Sequence, residues 1–117
     1  MDHTLKHQAA VLATLIYPEY AEIPSEIASI DVDERWFTDP SLIKIAETIQ
    51  AMRKRDVPVY MEGVHDELSM WEDWNVRDEM AFVAVAARVP LIKSHLEHSL
   101  SVIKKNAALY VARRLAI

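Results

Sequence analysis

From Leu91 to Ile117 the chain runs without proline or glycine, and apolar residues return at Ile92, Leu96, Leu100, Ile103, Ala107, Val111 and Leu115. Steps of three and four hold one side of a 3.6-residue helix, so the spacing predicts a single long helix over 91–117. Lys93, Glu97, Ser101, Lys104 and Lys105 lie to one side of that stripe. Leu109 and Tyr110 add a second apolar edge that one core does not require. This last helix is therefore expected to be both a wall of the domain and a surface for another chain.

The preceding pattern is also helical. Gln8, Val11, Leu12, Leu15 and Ile16 mark a first helix from about Thr4, stopped by Tyr17-Pro18 because proline disfavours helix before itself. Pro24-Ser25 opens a short second segment to Ile30, with Ile23, Ile27 and Ile30 on one side. The acidic stretch 31–38 reads as a turn whose Trp36 and Phe37 plug the core. Asp39-Pro40-Ser41 combines an N-cap with proline at the first helical position and starts a third helix through Leu42, Ile45, Ala46, Ile49 and Met52. Arg53-Lys54-Arg55 places cations at its negative end. Val57-Pro58-Val59-Tyr60 reads as extended, and Met61 to Met70 as a fourth helix with Val64 and Leu68 inward. After a loop at 71–75, Met80, Val83, Ala84 and Ala87 mark a fifth helix from about Val76 to Arg88. The pattern predicts an all-α domain over 1–117, a single compact orthogonal bundle of about six helices.

Composition supports that choice. One glycine and five prolines in 117 residues leave little for hairpin turns, and 51% hydrophobic content suffices for a core. With no cysteine, disulfides, thiolate metal sites and cysteine nucleophiles are excluded. No run approaches 18 apolar residues and the start lacks signal-peptide character, so a cytoplasmic, non-membrane protein is expected. Charge is divided unevenly: residues 1–90 carry eight Lys/Arg against seventeen Asp/Glu, a balance of −9, and residues 91–117 carry five against one, +4. An acidic body argues against direct nucleic-acid binding, which rests on cations meeting phosphates. Arg53-Lys54-Arg55, Lys104, Lys105, Arg113 and Arg114 are too sparse to reverse it.

Candidate chemistry is thin. His95 with His98, and His3 with His7, have the spacing of metal ligands on one helical face, but no third ligand is fixed in sequence. They read as surface or packing histidines, and no metal or cofactor is expected. Glu72, Asp73, Asp78 and Glu79 could supply a carboxylate pair for acid–base work, yet acids beside a helix start are ordinarily solvated. No phosphate-binding glycine loop is present, and no catalytic residue is assigned. Trp71 and Trp74, beside seven acids within 62–79, are either core plugs or the anchors of an interface.

The order of these pieces resembles the N-terminal domain of the bacterial replicative DNA helicases, the DnaB family. Residues 8–19, from Gln8 through Val11-Leu12 to Tyr17-Pro18-Glu19, look like the family's opening helix. Trp36-Phe37-Thr38-Asp39-Pro40 is similar to its Asp-Phe-Tyr motif, and Val57-Pro58-Val59 to its Pro-Val connection. Val89-Pro90, His95-Leu96-Glu97-His98 and Arg113-Arg114-Leu115 resemble the Pro-Ser-x-x-Asn-Ile stretch and the basic helix end. Trp36 stands where the family has Asp, Asp56 where it has Gly, Tyr60 where it has Asp and His95 where it has Asn, and a Gly-Gly pair is absent around Val76-Arg77. The chain reads as a divergent member of phage or mobile-element type.

The resemblance implies a non-catalytic role. In the family this domain forms a collar of dimers above the ATPase ring, and its last two helices form a hairpin that meets a neighbour and helps dock primase or a loader. The last helix here would be the first half of that hairpin, with the second helix and motor beyond Ile117. Trp71, Trp74, Lys93, Glu97, His98, Lys104, Lys105, Leu109, Tyr110, Arg113 and Arg114 are then the interface candidates, and the expected partners are a second copy, primase, a loader or the replicative helicase. The alternative is a free-standing protein of this type that binds a host helicase, primase or loader and recruits or blocks it.

Overall fold

Helix α1 (Thr4–Leu15) buries Val11, Leu12 and Leu15, and with them the polar Gln8. Gln8 is tolerated there because Thr38 satisfies it: the amide donates to the Thr38 hydroxyl over 3.1 Å and its carbonyl accepts from the Thr38 N–H over 3.1 Å. In this computed structural model residues 4–19 and 21–115 are described, apart from the side chains of Tyr110, Arg113, Arg114 and Leu115. His3, Ile117 and those four side chains lie outside the description.

The short α2 (Ser25–Ala28) buries no residue fully and is held by Arg53, whose guanidinium donates to the carbonyls of Ile27 and Ile30. A turn of 3-10 helix, Glu34–Trp36, brings Phe37 into the core and lays Trp36 half-buried beside it, as expected of plugs from a loop. Asp39 caps α3 (Pro40–Lys54), accepting from Ser41 N–H at 3.0 Å and Leu42 N–H at 3.2 Å. The connector 57–60 is extended, buries Val59, and makes an isolated parallel bridge to Tyr17. Helices α4 (Met61–Ser69) and α5 (Val76–Ala86) then pack on α3, and α6 (Lys93–Leu115) lies against α1. Over the described residues the fold is all-α, a bundle of six helices. No helix is long and apolar enough to cross a membrane among the described residues.

Two expected faces are corrected. On α5 the inward residues are Asp78, Phe82 and Val85, whereas Met80, Val83, Ala84 and Ala87 face outward. This helix is apolar nearly all round, so hydrophobicity does not label its inner side, and an acid occupies one inner position. On α6 the expected stripe is buried only in its middle. Leu96 and Ile103 are buried and Leu100 and Ala107 partly covered, but Ile92 is 64% and Val111 51% exposed. The helix starts at Lys93, and just before it the Leu91 N–H donates to Thr14 Oγ1 of α1 at 2.9 Å. At its other end it runs past the elements it packs on.

The cations closing α3 also serve neighbours as much as their own helix end. Arg53 holds α2, and Arg55 pairs with Glu67 of α4 at 2.7 Å. The turn that follows is a Schellman closure, with Val57 N–H on the Met52 carbonyl, Asp56 N–H on the Arg53 carbonyl, and Asp56 left-handed at φ 58°.

Candidate functional site

Between α4 and α5 the surface dips into a groove of about 410 Å³. Its floor is Met61, Phe82, Val83 and Ala86, and its rim carries Glu62 and Asp66. Both walls are firmly placed. Met61 N–H, the first of α4, donates to the Tyr17 carbonyl at 2.9 Å, and Val64 and Leu68 are fully buried behind. The start of α5 is fixed by a reciprocal cap: Asn75 accepts from Asp78 N–H at 3.1 Å, and Asp78 accepts from Asn75 N–H at 3.2 Å.

Asp78 does far more than suit a helix dipole, and the solvated reading fails for it. It is 3% exposed and accepts from Ser41 Oγ at 2.6 Å and Lys44 Nζ at 2.6 Å. Burial pushes its carboxyl upward, but Lys44, Ser41 and the Asn75 N–H together outweigh this and hold it below the ordinary carboxylate value. Glu79 is held below its ordinary value first by the Trp74 N–H at 2.9 Å and then by His65, whose Nε2 lies 2.5 Å away. His65 stacks on Phe82, rings 5.2 Å apart, and so lines the groove with a side chain fixed on two sides.

The two tryptophans of this region lie half-buried on the core. Trp71 donates its indole N–H to Thr48 Oγ1 at 3.1 Å and Trp74 donates to Glu79, so each polar edge is satisfied within the chain. Trp74 thereby holds Glu79, which lines the groove. Met70, Val76, Met80 and Val83 are all more than half exposed, and the last three continue the groove's apolar character along α5.

The remaining candidates lie on α6 and do not converge with the groove. Lys93 and Glu97 are exposed, and Lys93 sits 4.0 Å from Glu26. His98 is exposed with its ring edge-on to His7, 5.7 Å between centroids, while His7 Nδ1 is 2.9 Å from Ser99 Oγ. Lys104 Nζ rides 5.0 Å above the Trp36 ring. Lys105, Ala108, Leu109, Val111 and Ala112 are exposed, and the side chains of Tyr110, Arg113 and Arg114 lie outside the described residues. Among the described residues, no three His, Cys, Asp or Glu side chains come together as metal ligands. His65, Phe82 and Lys44 went unmarked by sequence reasoning; the Asn75-x-x-Asp78 spacing was the available signal for the cap that aligns them.

The arrangement offers shape, apolar contact and charge for binding a macromolecule. No protein-family model matches the chain, and neither a curated protein nor a solved structure shows significant similarity to it.

Proposed function

We propose that this chain is the N-terminal interaction domain of a replicative DNA helicase of the DnaB type, a non-catalytic module that assembles subunits through α6 and docks a primase or loader. The observation that carries this reading is the uncovered end of α6. Over its last turns Ala108, Leu109, Val111 and Ala112 meet solvent although the helix is anchored by Leu96 and Ile103. A helix that keeps apolar residues beyond its own core is suited to a second helix or a neighbouring chain. The helix order, the Asp39-Pro40 start and the extended Val57-Pro58-Val59 connector are compatible with the same reading.

The test is the mass of the native protein in its source cells, read with an antibody raised against this domain. A band several times heavier than 13.4 kDa that purifies with hexameric ATPase activity supports the helicase reading. A band at 13.4 kDa overturns it. Capture of the source's replicative helicase by that small band then identifies a free-standing regulator.

A further inference from the structure

Where the start of α6 lies against α1, the surface encloses a second pocket, of about 260 Å³, whose character is cationic. Lys6 and His7 reach it from α1, Arg88 from the connector after α5, and His95, His98 and Ser99 from α6. Among the described residues no carboxylate lines it. The chain itself keeps acids away: α1 has none, residues 80–96 have none, and Glu97, the one acid of α6, sits about 200° round the helix from both His95 and Ser99. In a body of −9 this is a local reversal of sign. Lys6 and Arg88 are exposed, and among the described residues their side chains enter no ion pair or hydrogen bond. Two of the imidazoles are set in place, His7 by the buried Ser99 hydroxyl at 2.9 Å and His98 edge-on to His7 at 5.7 Å.

We propose that this pocket binds a phosphate dianion, free or as a small monoester. Lys6 and Arg88 supply the opposing charge, and the planar guanidinium can take two phosphate oxygens at once. His95 and His98 add N–H donors, which an imidazole keeps in either protonation state. Those fixed charges would repel a metal cation, so the paired histidines suit an anion instead. At about 260 Å³ the pocket falls below the roughly 300–1,000 Å³ of ordinary small-molecule sites, so it fits the anionic group and little of what carries it. It lies at the start of α6, away from the exposed Leu109 and Val111, and its occupancy is independent of the assembly reading.

The test is an NMR titration of imidazole and backbone resonances with sodium phosphate, pH held constant and ionic strength matched with sodium chloride. Resonances of His95, His98 and Ser99 are expected to move saturably, with half-effect at about 1–10 mM phosphate. His65, between α4 and α5, is expected to stay in place. Lys6→Gln/Arg88→Gln is expected to weaken binding by about tenfold or more with helical circular dichroism unchanged, and Lys54→Gln, an exposed cation outside the pocket, to leave it as it was. His95→Gln, at an exposed position, is a second pocket variant, expected to weaken binding several-fold. Methyl phosphate that binds as tightly as phosphate, or more tightly, supports a monoester as the ligand, and binding of inorganic phosphate alone supports the free ion. A drift without saturation, equal movement of His65, or pocket variants that bind like the wild type overturn the proposal, and each leaves the helicase reading standing.

Discussion

Asp78 shows how much one carboxylate settles. It closes the α5 cap, fixes Ser41 at the start of α3 and neutralises Lys44, all from a site 3% exposed. Asp78→Ala strands two of those partners and is expected to cost about 2–4 kcal/mol in urea unfolding. The pH dependence follows from the directions of the two shifts. Asp78 is lowered in the folded state, so its stabilisation is present above the unfolded value near 3.8 and is lost as pH falls through the lower folded value. Lys44 is raised, chiefly by the hydrogen bond to Asp78, so its share is present below 10.5 and is lost as pH rises through the higher folded value. The contribution of this pair is expected to be flat between these limits, and Asp78→Asn to remove much of its acid-side loss in a pH series of melting temperatures. Asp56 is the opposite case, a residue without Gly's freedom in a left-handed turn. Asp56→Gly is expected to raise stability by about 1 kcal/mol, because relief of that backbone strain outweighs the added chain entropy. A lower midpoint in urea would contradict it. The Asp39 cap was legible in three adjacent residues, whereas Asp78's role depends on Ser41 and Lys44, 37 and 34 positions away, and no local pattern reports it.

At the scale of elements, the helices themselves were readable and their orientation only partly so. Proline punctuation and steps of three and four placed α3, α4 and α6 within a residue or two of where they stand. The direction in which α5 faces was not readable, since Met80 and Val83 are as apolar as Phe82 and Val85. Unfolding free energies check the observed face: Phe82→Ala is expected to cost about 3–5 kcal/mol, as for other buried aromatic truncations. Met80→Gln, at a position 67% exposed, should stay within about 0.5 kcal/mol. A larger loss at Met80 than at Phe82 would mean that α5 is turned the other way. The end of α6 failed as core for a related reason. Periodicity tells which residues share a side of a helix, and only the partner's length tells how many of them are covered.

Across the whole molecule the dominant feature is the separation of charge. The body carries −9 and the last helix +4. Attraction between these two parts of neighbouring molecules is screened within about 10 Å at 0.1 M salt and about 3 Å at 1 M. Self-association is therefore expected to weaken by about tenfold or more when sodium chloride is raised from about 0.05 M to 0.5 M, read by sedimentation velocity. Association that strengthens with salt would instead point to a purely apolar contact. Helix α6 is about 34 Å long at 1.5 Å per residue, against a longest extent of 46 Å for the molecule.

The pairing of α1 with α6 also has a consequence in time. His7 meets Ser99 across 92 positions, so α1 completes its packing only against a helix synthesised much later. From Leu15 to Lys93 the ribosome needs about 4–16 s at ordinary bacterial and eukaryotic elongation rates. For that interval the apolar side of α1 awaits its final cover, and the nascent chain is exposed to chaperones and to its own neighbours on the same message until α6 emerges.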